Sequence, residues 1–335
     1  MIKKYSLMLS VILAAFIFSS CEKETAQPQI NESEVLVKYL ESTDSPLHKD
    51  FVNTDMPTIM TADDVKTLNA TGQVYIIDIR AAADFNSGHI TNAHNVALTD
   101  ILTHIKGIDL TPYTKVAVVC YTGQTSGFAT SILRIMGYDK AFSLKWGMCS
   151  WHNDFAGKWN TAIANGNAFA TQFTATATAK STAGELPVIT TGKTTGQEIL
   201  EARVAAILTE GFTPASVTGA AVLDNTDNHY IVNYWPADQY ADPGHIPSAI
   251  QYTPKESIKL AADLKTLPAN KTIAVYCYTG QTSAFLVAYL RLLGYDAKSI
   301  LYGTNGMIYD KMVAKGGMTV FNAAQIKGYE YETNP

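Results

Sequence analysis

Apolar residues in this chain gather into short unbroken runs, each followed by a glycine-bearing loop and a longer mixed stretch. Val74-Tyr75-Ile76-Ile77-Asp78, Val116-Ala117-Val118-Val119 and Thr272-Ile273-Ala274-Val275-Tyr276 lack the alternation of a half-exposed strand and read as buried parallel strands. After the second run, a helix is expected from Thr125 or Ser126 to a stop at Gly137. After the third, one is expected to run to Leu293, before Gly294. Ala141-Phe142-Ser143-Leu144 adds a further strand. Strands alternating with helices predict an α/β fold, with central, mainly parallel sheets flanked by helices.

The pattern occurs twice. Val118-Val119-Cys120-Tyr121-Thr122-Gly123-Gln124-Thr125-Ser126 recurs 157 positions later as Val275-Tyr276-Cys277-Tyr278-Thr279-Gly280-Gln281-Thr282-Ser283. At the same offset Leu133-Arg134 matches Leu290-Arg291, and Gly137-Tyr138-Asp139 matches Gly294-Tyr295-Asp296. Gly88-His89-Ile90 matches Gly244-His245-Ile246 one residue out of step. A repeat this long is two copies of a domain, as the 335-residue length also suggests. The copies are placed at residues 51–165 and 191–325. Between them, residues 166–190 hold a Thr-, Ala- and Ser-rich stretch suited to a linker.

The N-terminus departs from this pattern. Lys3 and Lys4 precede an apolar run over residues 7–18, shorter than the ~20 residues of a membrane-spanning helix but of signal-peptide length. It ends in Phe18-Ser19-Ser20-Cys21, which resembles a bacterial lipoprotein signal. That resemblance implies a signal peptide over residues 1–20, lipidation of Cys21, and a polar tether over residues 21–50. The protein would then be exported and held in the cell envelope, facing the periplasm or the surface, with the membrane contacted through its lipid. Hydrophobic residues make up 47% of the chain, enough to build real cores, and the net charge of -5 gives no basic footprint for nucleic acid. Beyond Cys21, three cysteines remain, an odd number that does not suggest a disulfide framework.

Two of those three, Cys120 and Cys277, follow a buried strand and open the loop before a helix, at the sheet edge where parallel α/β folds bind ligands. Small residues there let backbone N–H groups turn inward. With the positive end of the helix dipole they form an anion cradle that also favours thiolate over thiol. Loop residues Tyr121, Thr122, Gly123, Gln124 and Thr125, and Tyr278, Thr279, Gly280, Gln281 and Thr282, are the expected cradles. His89 and His245 read as turn residues, too isolated for metal binding. Cys149 has no partner in the second copy and reads as an incidental thiol, with a resolving role for Cys120 as the sharper alternative. Thr191-Gly192-Lys193-Thr194 lacks the earlier glycine of a phosphate loop.

The loop Cys-Tyr-Thr-Gly-Gln-Thr resembles the six-residue active-site loop of rhodanese-family sulfurtransferases. Asp78-Ile79-Arg80, Asp84-Phe85 and Gly88-His89-Ile90 are similar to the family's upstream signature. The resemblance implies two rhodanese-like domains, with Cys120 and Cys277 as nucleophiles and Asp78 and Arg80 as a supporting pair. Sulfane sulfur would pass from a donor such as thiosulfate, or mercaptopyruvate, to a thiol or cyanide acceptor through a cysteine persulfide. No metal or organic cofactor is required. Thiosulfate-using members often carry arginine after the cysteine; Tyr121 and Tyr278 stand there, so neither loop is charged. Asn233-Tyr234-Trp235 replaces the Asp-x-Arg pair in the second copy. A cysteine phosphatase, which shares the fold, needs arginine where Ser126 and Ser283 stand. A non-catalytic persulfide carrier or binding module is the alternative from another class.

Overall fold

The computed structural model describes residues 30–334, so Cys21 and the signal segment lie outside the described residues. From residue 31 on, the chain forms one compact unit holding two five-stranded sheets, each with every neighbouring pair parallel. The first contains β1 (Ile59–Met60), β2 (Val74–Asp78), β3 (Ala93–Asn95), β4 (Lys115–Val119) and β5 (Ala141–Leu144), in spatial order β1-β5-β4-β2-β3. The second contains β6 (Ser216–Val217), β7 (His229–Asn233), β8 (Ile250–Gln251), β9 (Thr272–Tyr276) and β10 (Ala297–Ile300), in the matching order β6-β10-β9-β7-β8. Both sheets are flanked by helices. The unbroken apolar runs are the central strands, apolar throughout because both sheet faces are covered.

The helices that follow β4 and β9, Gln124–Ile135 and Gln281–Leu292, lie against each other where the two domains meet. Ser131 Oγ donates to Phe285 O across the seam at 2.9 Å, and a Cβ on Gly127 would come within 3.0 Å of Gln281 O. One hydrophobic core runs through from Ile77, Val118, Phe128 and Ile132 of the first domain to Val275, Phe285 and Tyr289 of the second. The seam is therefore domain interior.

The stretch read as a tether is folded over its second half. Asn31 Oδ1 accepts the Glu34 N–H and caps the helix Glu32–Leu40, which packs on the helix Gly196–Glu210. Its apolar positions Leu36, Val37 and Leu40 share one helical face and are buried, which is why this otherwise polar stretch is held down. The Thr- and Ala-rich segment is irregular but docked on the second domain. Thr174 bridges His245, Gly184 N–H donates to Lys265 O, and Leu186 and Ile189 are buried.

Candidate active site

Cys120 is the first residue after β4, and Cys277 the first after β9. Both lie at the C-terminal edge of a central strand, with three residues between the cysteine and the helix. The loop must reverse within those residues, and Gly123 (φ 89°) and Gly280 (φ 76°) take the left-handed conformation that allows it. The turn brings donors onto sulfur. Gly123 N–H and Ser126 N–H reach Cys120 Sγ at 3.1 and 3.3 Å, and Ser126 Oγ lies 3.3 Å from it. In the second domain Ser283 N–H reaches Cys277 Sγ at 3.3 Å, with Ser283 Oγ farther away at 3.6 Å. Each sulfur also lies at the start of a twelve-residue helix, where the dipole favours negative charge. Cys120 and Cys277 are only 5% and 3% exposed, so little of either side chain meets solvent.

The other loop residues divide by role. Tyr121, half-buried, has two cations near its ring: the Arg80 guanidinium at 5.7 Å and Lys158 Nζ at 4.0 Å from the ring centre. Burial, with Asp84 nearby, raises its phenol above the ordinary range. Trp159 Nε1 donates to Thr122 O at 3.0 Å, so the helix Gly157–Ala164 fixes the loop with one residue and supplies Lys158 with the residue before it. In the second loop Tyr278 stacks on Trp235 at 5.3 Å and its hydroxyl donates to Gln239 Oε1. Thr279 Oγ1 accepts the Gln281 N–H at 3.1 Å. Thr125 and Thr282 are half-buried in the first helical turns. The Gln124 and Gln281 side chains do not line the cradles but cross the seam, Gln124 Oε1 accepting Tyr302 N–H at 2.8 Å and Gln281 Nε2 donating to Ser143 Oγ at 2.9 Å.

Asp78 and Arg80 stand behind the first loop. Arg80 Nε and Nη2 reach the fully buried Asp78 carboxylate, with the closest contact at 2.6 Å, and Nη2 also donates to Gly88 O at 2.7 Å. The pair thus ties the end of β2 to the Gly88-His89 turn. In the second domain Asn233 Nδ2 donates to the Tyr276 hydroxyl at 2.9 Å, and that hydroxyl accepts Ile246 N–H. A neutral bridge does the same job there. His89 and His245 are held by turn carbonyls: Nδ1 lies 2.9 Å from Phe85 O in one and 2.7 Å from Tyr240 O in the other. Cys149 is fully buried and its thiol donates to Phe155 O at 3.0 Å. Burial pushes it up to about 12, so at neutral pH it is not the attacking thiolate a resolving role needs.

Four serines went unassigned on the sequence. Ser126 and Ser143 hydroxyls are 2.9 Å apart, and Ser283 and Ser299 hydroxyls 2.8 Å apart. The signal was present, since Ser126 and Ser283 close the repeated motif, and Ser143 and Ser299 are lone hydroxyls in buried strands.

The chain matches the rhodanese-like domain family over residues 61–154 and again over 220–308, together more than half its length. The thiosulfate sulfurtransferase GlpE of Shewanella oneidensis is 37% identical over 79 residues, which are 24% of this chain and 76% of that protein. The protein of the same name from Tolumonas auensis is 32% identical over 80 residues, 24% of this chain and 74% of the relative. Among solved structures, a rhodanese-related protein from Thermoplasma volcanium is 22% identical, with a TM-score of 0.25, covering 28% of this chain and 89% of that one. This chain belongs to the rhodanese-like family, whose domain it carries in tandem, and is at family level a rhodanese-type sulfurtransferase.

Proposed function

We propose that the protein moves sulfane sulfur from a small donor to a thiophilic acceptor through a persulfide on Cys120, and on Cys277 in the second domain. The observation that carries this reading is the convergence of Gly123 N–H, Ser126 N–H and the Ser126 hydroxyl on Cys120 Sγ. The thiolate attacks the outer sulfur of thiosulfate; a new S–S bond forms as the donor's S–S bond breaks, and sulfite leaves with the electron pair. A cyanide or thiolate acceptor then attacks the terminal sulfur, and the cysteine thiolate departs. The same donors that hold the thiolate hold the anionic persulfide, as an oxyanion hole holds its charge.

Lys158 supports an anionic donor at the first site, supplying from a neighbouring helix the charge its loop lacks. Among the described residues no lysine or arginine lies over the Tyr278 ring, and Lys315, in the helix Tyr309–Lys315 of the second domain, pairs with Asp242. Thiosulfate is therefore the proposed donor at Cys120, and a less charged donor suits Cys277. Anchoring in the cell envelope through lipid on Cys21 is also proposed, on the sequence of the signal segment; metabolic labelling with a radioactive fatty acid, lost in Cys21→Ala, tests it.

The transfer reading is tested by intact-mass spectrometry of the full chain after incubation with thiosulfate, and separately with mercaptopyruvate. Wild type, Cys120→Ala, Cys277→Ala and the double variant are compared. A gain of one sulfur with thiosulfate that is lost in Cys120→Ala, a gain with mercaptopyruvate that is lost in Cys277→Ala, and release of both by cyanide over repeated turnovers are the expected results. Loading without turnover would favour the carrier. No loading by either donor in folded protein would overturn both.

A further inference from the structure

The two loops are joined by a hydrogen-bonded path that runs in one direction only. It starts at Gln281, in the second loop, whose amide is buried at the seam. Gln281 Nε2 donates to Leu144 O at 3.1 Å and its Oε1 faces the Trp146 N–H at 3.4 Å, which together fix which way the amide points. So oriented, its Nε2 also donates to Ser143 Oγ at 2.9 Å. Ser143 Oγ lies 2.9 Å from Ser126 Oγ, which lies 3.3 Å from Cys120 Sγ. Every member is buried: Gln281 is 2% exposed, and Ser126 and Ser143 are fully enclosed.

The hydroxyls have two settings. With Cys120 as a thiol, the thiol donates to Ser126 Oγ, and both serine hydroxyls can turn to Gly123 O, at 3.0 and 3.3 Å. With Cys120 as a thiolate, Ser126 turns its proton to sulfur, Ser143 turns its own to Ser126, and the Gln281 N–H completes the series. All donors then point at the negative charge, and each bond polarises the next. An amide nitrogen can only donate, so Gln281 donates to Ser143 in both settings, and the polarisation it adds counts most in the second, where the series ends on the charged sulfur.

The reverse path is missing. Gln124 accepts Tyr302 N–H and its Nε2 turns back to Thr122 Oγ1 at 3.1 Å, in its own loop. Ser299 Oγ bonds Ser283 Oγ and Gly280 O, both within the second domain.

We propose that Gln281, a residue of the second loop, is a positioning residue for the Cys120 nucleophile, holding the Ser143–Ser126 hydroxyls in the order that stabilises its thiolate. The second domain thereby tunes the first. This rests on the reading of Cys120 as the nucleophile, and is tested by a measurement that reports thiolate formation whether or not sulfur is transferred.

The experiment is the pH profile of Cys120 alkylation by iodoacetamide in the full chain, followed peptide by peptide so that Cys149 and Cys277 are read separately. Gln281→Leu and Ser143→Ala break the path from opposite domains. Each is expected to raise the profile's midpoint by about half a pH unit. The double variant is expected to shift it no further than either single one, since both remove the same path. An unchanged midpoint in either folded variant, or shifts that add in the double, would overturn the proposal. Should Gln281→Leu fail to fold, Gln281→Met, which keeps the length of the side chain and removes its N–H, is read in its place. Unchanged profiles alongside normal sulfur loading would sink the relay and leave the transfer reading intact. The expected shifts without sulfur loading would do the opposite.

Discussion

Ser126→Ala removes the side-chain hydroxyl beside Cys120 sulfur and leaves the backbone N–H groups of residues 123 and 126 in place. A hydrogen bond to a charged group contributes about 1.5–3 kcal/mol. The lower end applies here, because two backbone donors remain, and about 1.5 kcal/mol is about one pH unit in thiolate formation. The alkylation midpoint of Cys120 should rise by that amount, leaving up to about tenfold less thiolate at neutral pH. The remaining thiolate is more basic and more nucleophilic, regaining roughly threefold at the usual sensitivity of thiol exchange. Single-turnover persulfide formation should therefore slow only about threefold at neutral pH, and the defect should vanish or reverse at high pH, where both thiols are fully ionised and the more basic thiolate attacks faster. Ser283→Ala should shift Cys277 less, its hydroxyl being 3.6 Å from sulfur. Stopped-flow loading and alkylation profiles, resolved by cysteine, measure both. A midpoint that stays put, or a loading defect that persists undiminished at high pH, would refute the assignment of Ser126 as a thiolate donor.

Three further outcomes follow from the surroundings of the loops. Lys158→Met should raise the KM for thiosulfate at Cys120 about fivefold at low salt, with the difference fading above physiological ionic strength, as screening of an exposed charge requires; equal KM values at low salt would show that Lys158 does not meet the donor. Phe321, fully buried with its ring centre 5.3 Å from that of Trp146 and 5.4 Å from that of Trp159, should cost about 3–5 kcal/mol as Phe321→Ala in urea unfolding, and a loss below about 1 kcal/mol would mean the tail is not part of the core. Burial raises the Glu32 carboxyl, but hydrogen bonds from the Thr191 hydroxyl, Thr191 N–H and Gly192 N–H outweigh it and hold the group below the usual carboxylate value of 4.5. A depressed folded value stabilises above the unfolded one and is lost as pH falls through the folded value, so Glu32→Gln should be less stable than wild type at neutral pH and the gap should close in acid; a gap that is constant with pH, read by urea unfolding, would contradict this.

Much of the fold was legible because buried parallel strands leave unbroken apolar runs. Those runs became β2, β4, β5 and β9 with ends displaced by a residue at most. The repeated cysteine motif likewise located both loops, since its glycine has to sit where the backbone turns left-handed. Roles within the loop were less legible. Gln124 and Gln281 stand in the motif beside residues that face sulfur, yet their side chains cross the seam, and nothing in a single chain's local pattern marks which polar group meets a distant segment. Lys158 lies 38 positions from Cys120 and gave no signal until the helix Gly157–Ala164 was in place over Tyr121. The packed helix Glu32–Leu40 was hidden for another reason: three apolar residues among polar ones make a stripe only once a partner helix is present.

The two copies of the repeat are not independent domains on a string. The segment leaving the first domain bridges His245 through Thr174, and the segment leaving the second returns to bridge His89 through Glu332. Each glycine-histidine turn is thus completed by backbone from beyond the other copy. The returning tail goes further: Lys327 N–H donates to Ser150 O, Tyr329 N–H to Trp151 O, and Gln325 accepts the Trp146 indole N–H at 3.0 Å. Trp146 and Trp159 pack together with Phe321 against the first loop, so the tail of the second domain shapes the surroundings of the first cysteine. With the helix pair at the seam and the Gln281 path, the first site draws on the second domain through three separate contacts. Two sites built from near-identical motifs can therefore differ in donor and reactivity without any change in the loops themselves. The differences lie in what surrounds them: Lys158 from the first domain's own helix, and the Gln281 amide and the returning tail from the second.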